Sequence, residues 1–146
     1  MAELPKVARY LHLPVQSGSN AVLKAMRRGY TVERYLARLD MLRSKAPDIE
    51  LHSDFIVGYP GETAADFEAT VDLVNRVGFA QSYVFKYSPR PGTLAAELPD
   101  DVPDAEKERR NHVLLAAQEA LTWQHNRAFV GKTTEVLVEG VSKVDG

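Results

Sequence analysis

The sequence predicts an α/β fold, half of a parallel α/β barrel followed by a long helix and an unpartnered strand. Three observations carry this. Three short apolar stretches, Tyr10 to Val15, Leu51 to Val57 and Gln81 to Tyr87, each end in polar, Gly- or Pro-bearing turns. Helical stretches lie between them in the order β-α-α-β-α-β, and strands joined through helices run parallel by right-handed crossovers. The chain also starts almost directly on a strand and closes on a strand-like stretch, Thr133 to Val138, that has no partner in the sequence. The last two features suggest a piece of a larger protein.

Each element has a local reason. The first strand turns abruptly polar at Gln16-Ser17-Gly18-Ser19. A short helix over Asn20 to Arg28 follows, with Ser19 or Asn20 as N-cap and Gly29 as its stop. Thr31 restarts a helix in which Val32, Tyr35, Leu36, Leu39 and Leu42 step at helical spacing until Pro47. The second strand closes on Gly58-Tyr59-Pro60-Gly61. Thr63 and Asp66 then form a capping box with Asp in place of Glu. Phe67, Val71, Val74 and Val77 make that helix's apolar stripe, and Gly78 ends it. After the third strand, Ser88-Pro89-Arg90-Pro91-Gly92-Thr93 cannot continue a ladder and reads as a turn or ordered loop. Pro99 to Pro103 is a linker. Asp104 caps a long helix to about Val130, with Leu114, Ala117, Leu121 and Ala128 on one face. Crossover helices would cover one face of so small a sheet, and the long helix is the remaining candidate to cover the other.

Composition narrows the function. The net charge of −2 advertises no global affinity for nucleic acid, although a local basic patch is compatible with it. With no Cys among 146 residues there is no disulfide, thiol nucleophile or Cys-ligated metal in this chain. No run of residues reaches the ~18 apolar residues of a membrane span, and no signal core opens the chain, so the expectation is a cytoplasmic protein without membrane contact.

Alternation places His12 and Gln16 on one side of the first strand and His52, Asp54 and Ile56 on one side of the second. Their opposite sides are apolar and suit the helices. The polar sides therefore converge on the inner face, and Gln16, Asp54 and the Gly-rich turns fall at the strand C-termini, where α/β barrels hold ligands. Gln16 and Ser17 offer hydrogen-bonding groups there, and Gly18 lets backbone come close. Each residue also has a plainer reading. His12 and His52 would serve as hydrogen-bonded core residues, Gly58 and Gly61 as turn residues, and Glu62 as first-turn decoration of a helix. Arg27, Arg28 and Lys107 to Arg110 would be solvated helix faces, and Trp123 and Phe129 packing residues. Arg90, stiffened by two prolines, suits presentation of a guanidinium to phosphate or carboxylate. His12, His52 and Asp54 form only a weak metal-ligand pattern.

Three stretches, YLHLPVQSGSNAVLKAMRRGYT, SDFIVGYPGET and YVFKYSPRPGTLAA, resemble the radical S-adenosylmethionine methylthiotransferases. The resemblance covers nearly the whole chain and is nearest to the tRNA branch, which methylthiolates C2 of N6-isopentenyl-adenosine. The ribosomal-protein branch is the alternative, as is a non-catalytic module that completes a barrel with another chain. The resemblance implies that residues 1–98 are strands four to six of a partial (β/α)6 TIM-like radical SAM barrel. It makes 99–131 a linker and long helix, and 132–146 the start of a TRAM β-barrel. It implies S-adenosylmethionine and two [4Fe-4S] clusters as cofactors of the full-length enzyme, with radical hydrogen abstraction preceding sulfur insertion and methyl transfer. The chain itself lacks cluster ligands, so the expectation is that it is inactive alone and contains no catalytic residue. By position, Gln16, Ser17, Asp54, Ile56, Gly58, Tyr87 and Ser88 would contact S-adenosylmethionine, and Arg90 would orient substrate. The implied partner is tRNA. Self-association through the exposed edge of the first strand is a further expectation.

Overall fold

The computed structural model describes residues 8–133, 135–138 and 140. Strands β1 (Tyr10–His12), β2 (Glu50–Val57) and β3 (Gln81–Lys86) form one parallel sheet in the order β1-β2-β3. Between them run α1 (Asn20–Ala25), α2 (Val32–Lys45) and α3 (Ala64–Val77), and a 24-residue helix α4 (Asp104–Arg127) follows. This is the predicted order of a partial α/β barrel.

β1 is shorter than the stretch from Tyr10 to Val15 because Pro14 has no N–H for the ladder. Ser53 bridges the gap from β2. The Val15 N–H donates to Ser53 Oγ at 3.0 Å, and that hydroxyl donates to the Leu13 carbonyl at 3.2 Å. Pairing resumes at Gln16, opposite Phe55, and the β1 side has gained one residue against β2. This is a bulge, and it absorbs the extra residue by turning Gln16 to φ 75°. The Gln16 N–H donates to the Asp54 carbonyl and its own carbonyl accepts from the Ile56 N–H, both at 2.9 Å.

Ser19 caps α1 by accepting from the Ala21 and Val22 N–H groups. The helix ends before the predicted stop at Gly29. Arg27 takes φ 57°, the Arg28 N–H reaches the Leu23 carbonyl at 2.8 Å, and the Arg27 N–H reaches Lys24 at 3.0 Å. This is a Schellman ending with arginine in glycine's usual place. Thr31 caps α2, and the Thr63–Asp66 capping box opens α3, which Gly78 closes at φ 63°.

The core lies on one face of the sheet. Leu51, Phe55 and Val57 of β2 pack against Tyr35 and Leu39 of α2, Phe67 and Val74 of α3, and Phe79. Leu114 of α4 joins the same cluster. The long helix therefore does not cover the opposite face, contrary to expectation. Its packing stripe is Lys107, Arg110, Leu114 and Gln118 rather than an apolar face running to Ala128, which is exposed. The polar members explain the placement, because α4 bonds to the backbone of and before β3. Asn111 donates to the Val84 carbonyl at 3.0 Å, Gln118 to Phe79 at 2.9 Å and Thr122 to Ala80 at 3.1 Å. Pro103 rather than Asp104 holds the N-cap position. Trp123, expected to pack, is largely exposed, and Phe129 is about half exposed with its ring edge-on to His125.

The segment Thr133 to Val138, expected as a strand, forms none among its described residues; residue 134 lies outside them. Val136, Leu137 and Val138 are exposed. A strand needs a ladder partner for its backbone, and no described segment supplies one.

Gly18 is where two turns of chain meet. Its N–H donates to Thr70 Oγ1 at 2.9 Å, and a Cβ there would lie 2.6 Å from the Thr70 Cα and overlap the Ala69 carbonyl oxygen. Both obstacles are α3 backbone and cannot swing aside. Gly18→Ala is therefore expected to lower unfolding stability by roughly 1–3 kcal/mol, read as a fall in the urea midpoint at unchanged slope.

Candidate functional site

The open face of the sheet carries the side chains that alternation assigned to it. Tyr83 and Phe85 are about half exposed there, and the ring of Tyr10 meets that of His52 at 4.4 Å. His12 Nε2 and Asp54 Oδ1 are 2.9 Å apart. Burial pulls the His52 imidazole below its ordinary pKa. His12, His52 and Asp54 do not make a metal centre: among the described residues, no group of three or more His, Asp and Glu could hold an ion.

At the C-terminal end of the sheet this face opens into a cleft of about 550 Å³. Gln16, Asp54, Ile56, Tyr87, Ser88 and Arg90 all line it. They reach it from three strand ends: the Gln16 bulge, the C-terminal half of β2 and the loop that leaves β3. The Tyr87 hydroxyl donates to the Ala95 carbonyl at 2.8 Å, and its ring meets Tyr59 edge-on at 5.3 Å. A wider hollow of about 760 Å³ lies at the other end of β2 and β3, beside Trp123 and Phe129, and holds none of these residues. Ligands of α/β barrels sit at strand C-termini, which favours the cleft.

Ser17 and Gly58 occupy the same turns but point elsewhere. Ser17 is fully buried; its Oγ accepts from the Ser19 N–H at 3.1 Å and lies 3.4 Å from Thr70 Oγ1. Gly58, at φ 71°, gives its N–H to Glu62 Oε2 at 2.6 Å, and a Cβ there would overlap Lys107 Cγ. Tyr59, Phe85, Met26 and Arg28 line the cleft without having been singled out for it. Alternation along the third strand would have found Phe85.

The charges expected to be solvated build the wall behind the cleft. Glu62 is not surface decoration, and Lys107 and Arg110 are not a solvated face. The Glu62 side chain is completely buried and meets Arg110 Nη1 at 2.7 Å. Burial pushes the Glu62 carboxyl up, against the Gly58 N–H and the Arg110 guanidinium that favour its ionised form. Glu62 Oε1 has no hydrogen-bond partner. Arg110 also meets Glu106, whose carboxyl two guanidiniums, Arg109 and Arg110, hold down to about 2. Lys107 bonds Asp100 at 2.7 Å and stands 5.7 Å over the Tyr87 ring. The wall is ionic because α4 must dock on a turn whose backbone N–H groups already demand a carboxylate.

The sequence pattern of the Radical SAM superfamily matches residues 1–74. The chain is also similar to enzymes named tRNA-2-methylthio-N(6)-dimethylallyladenosine synthase. Identity is 54% over 141 residues with the one from Magnetococcus marinus, 56% over 144 residues with that of Chromobacterium violaceum and 53% over 143 residues with that of Neisseria meningitidis serogroup B. These matches take in 97–99% of this chain and 32% of each relative, so the chain spans about a third of their length.

Removing one partner of a buried ion pair strands the other. Glu62→Ala is expected to cost about 3 kcal/mol, measured by chemical unfolding, and to raise the mobility of the Gly58 and Arg110 resonances together.

Proposed function

Because the chain belongs to the radical S-adenosylmethionine superfamily, we propose that its strand-end cleft is part of the S-adenosylmethionine site of a tRNA methylthiotransferase. The convergence of Gln16, Asp54, Ile56, Tyr87 and Ser88 on one cleft carries this reading. At about 550 Å³ the cleft suits a small-molecule ligand. Ile56 and the ring of Tyr87 offer apolar surface to an adenine. Asp54 and Ser88 offer polar atoms to ribose hydroxyls, and the Gln16 bulge brings backbone close.

Superfamily membership implies S-adenosylmethionine and iron–sulfur chemistry. Cluster ligation in such proteins rests on cysteine thiolates, and this chain contains no Cys, so its residues do not fit a cluster. The reading calls for two [4Fe-4S] clusters whose ligands are not among these residues. When bound, S-adenosylmethionine supplies the radical chemistry and the methyl group; the protein's part is position. Asp54, held by His12, keeps its second carboxylate oxygen for the ligand. Ser17 and Gly58 contribute by shaping the turns that carry Gln16 and Ile56. Ser17 does so through Ser19, Gly58 through Glu62. The substrate of this reading is tRNA carrying N6-isopentenyl-adenosine, in the cytoplasm. No described helix is long and apolar enough to cross a membrane.

Equilibrium dialysis of S-adenosylmethionine against the full chain tests the site. Saturable binding is expected, weakened at least tenfold by Asp54→Ala and unchanged by Arg38→Gln on the distant face of α2. Absence of saturable binding counts against the reading. The β1 edge is unpaired among the described residues, and we propose that it associates with a second copy. Sedimentation equilibrium should show a concentration-dependent dimer, and a strict monomer would remove this proposal.

A further inference from the structure

The rim of the cleft carries more positive charge than S-adenosylmethionine can use. Arg28, Lys86 and Arg90 line the cleft against one acid, Asp54. Asp54 is engaged by His12, and Lys86 by Glu108. Arg28 and Arg90 form no ion pair among the described residues, and both are exposed. S-adenosylmethionine carries two cationic groups and one carboxylate, which could occupy at most one of these guanidiniums.

Both arginines are fixed at the backbone and free at the tip. Arg28 follows the left-handed Arg27, and its N–H is tied to the Leu23 carbonyl at 2.8 Å. Arg90 sits between Pro89 and Pro91, and its carbonyl accepts from both the N–H and the hydroxyl of Thr93, at 3.2 and 2.8 Å. A pinned backbone with an unpartnered guanidinium suits bidentate capture of a phosphate. The lining of the same cleft is also aromatic. Phe85 is 53% exposed and Tyr87 lies beside it. Exposed aromatic faces flanked by cations bind single-stranded nucleic acid by stacking and phosphate contact.

We propose that Arg28 and Arg90 form a phosphate clamp at the mouth of the cleft. The clamp grips the single-stranded RNA backbone on either side of a nucleotide whose base lies against Phe85. The inference rests on the methylthiotransferase reading for its choice of RNA, and on the two unpaired guanidiniums for its place.

The test is binding of a fluorescein-labelled 17-nucleotide RNA stem-loop with a seven-nucleotide, adenine-containing loop, followed by anisotropy between 50 and 200 mM KCl. Each single-strand phosphate contact contributes about 0.7 to the slope of log K against log salt. Arg28→Gln with Arg90→Gln should weaken binding at least tenfold at 100 mM KCl and flatten that slope by about 1.4. Arg38→Gln should leave both unchanged. An unaltered slope in the double variant overturns the clamp, as does failure of the unsubstituted chain to bind the RNA. If the double variant keeps its RNA affinity but loses S-adenosylmethionine in dialysis, the anion is the methionyl carboxylate and the clamp is again overturned, while the methylthiotransferase reading stands. Loss of S-adenosylmethionine binding by the unsubstituted chain, with RNA binding intact, sinks that reading and not the clamp.

Discussion

A buried carboxylate organises this molecule. Glu62 sits in the turn that ends β2, with no exposed side-chain surface, and it receives the Gly58 N–H and the Arg110 guanidinium on one oxygen. A charge in that position is tolerable only with both partners in place, because the penalty for burying it alone exceeds what either contact returns. The pair therefore sets the rotation of α4 on the sheet. With Arg110 fixed, Leu114 falls one turn on, within the apolar cluster that holds Phe55 and Phe79, and Gln118 falls two turns on against Ser82. Lys107 falls one turn back, beneath Gly58 and over the ring of Tyr87. An ion pair behind the cleft thus reaches its lining through Lys107, which stands over the ring of Tyr87.

Most of the scaffold was legible because local rules and global packing agree in it. Ser19, Thr31 and Thr63 cap where their hydroxyls predict, and the alternation of β2 sorts Leu51, Ser53, Phe55 and Val57 from His52, Asp54 and Ile56 without exception. What was hidden obeys longer-range terms. The bulge at Gln16 depends on a proline that breaks a ladder and a serine 37 residues away in sequence that mends it. The docking face of α4 was hidden because a helix is read by its apolar residues, and this one buries a lysine, an arginine and a glutamine. Such residues read as solvated in isolation and reveal themselves only with their partners.

The candidate site shows the same division. Position at a strand end pointed to Gln16 and Asp54, the family resemblance added Ile56, Tyr87 and Ser88, and the flanking prolines drew notice to Arg90; all six line the cleft. It did not say which residues of a turn face outward. Ser17 and Gly58 lie beside lining residues, yet their polar groups are spent within the protein, on the Ser19 N–H and on Glu62. Arg28 was read only as a solvated residue for the opposite reason: a basic residue at the end of a short helix is unremarkable until that helix stops three residues early.

The way α4 is fastened gives the sheet a direction of growth. Its Asn111, Gln118 and Thr122 occupy carbonyl groups on and before β3, so a helix stands alongside that margin of the sheet. The margin at β1 carries no such guard among the described residues. A further strand would meet no such obstacle on the β1 side. The sheet is therefore asymmetric in what its two margins can offer: one presents side-chain amides and a hydroxyl already engaged, the other bare backbone beside His12 and the Gln16 bulge.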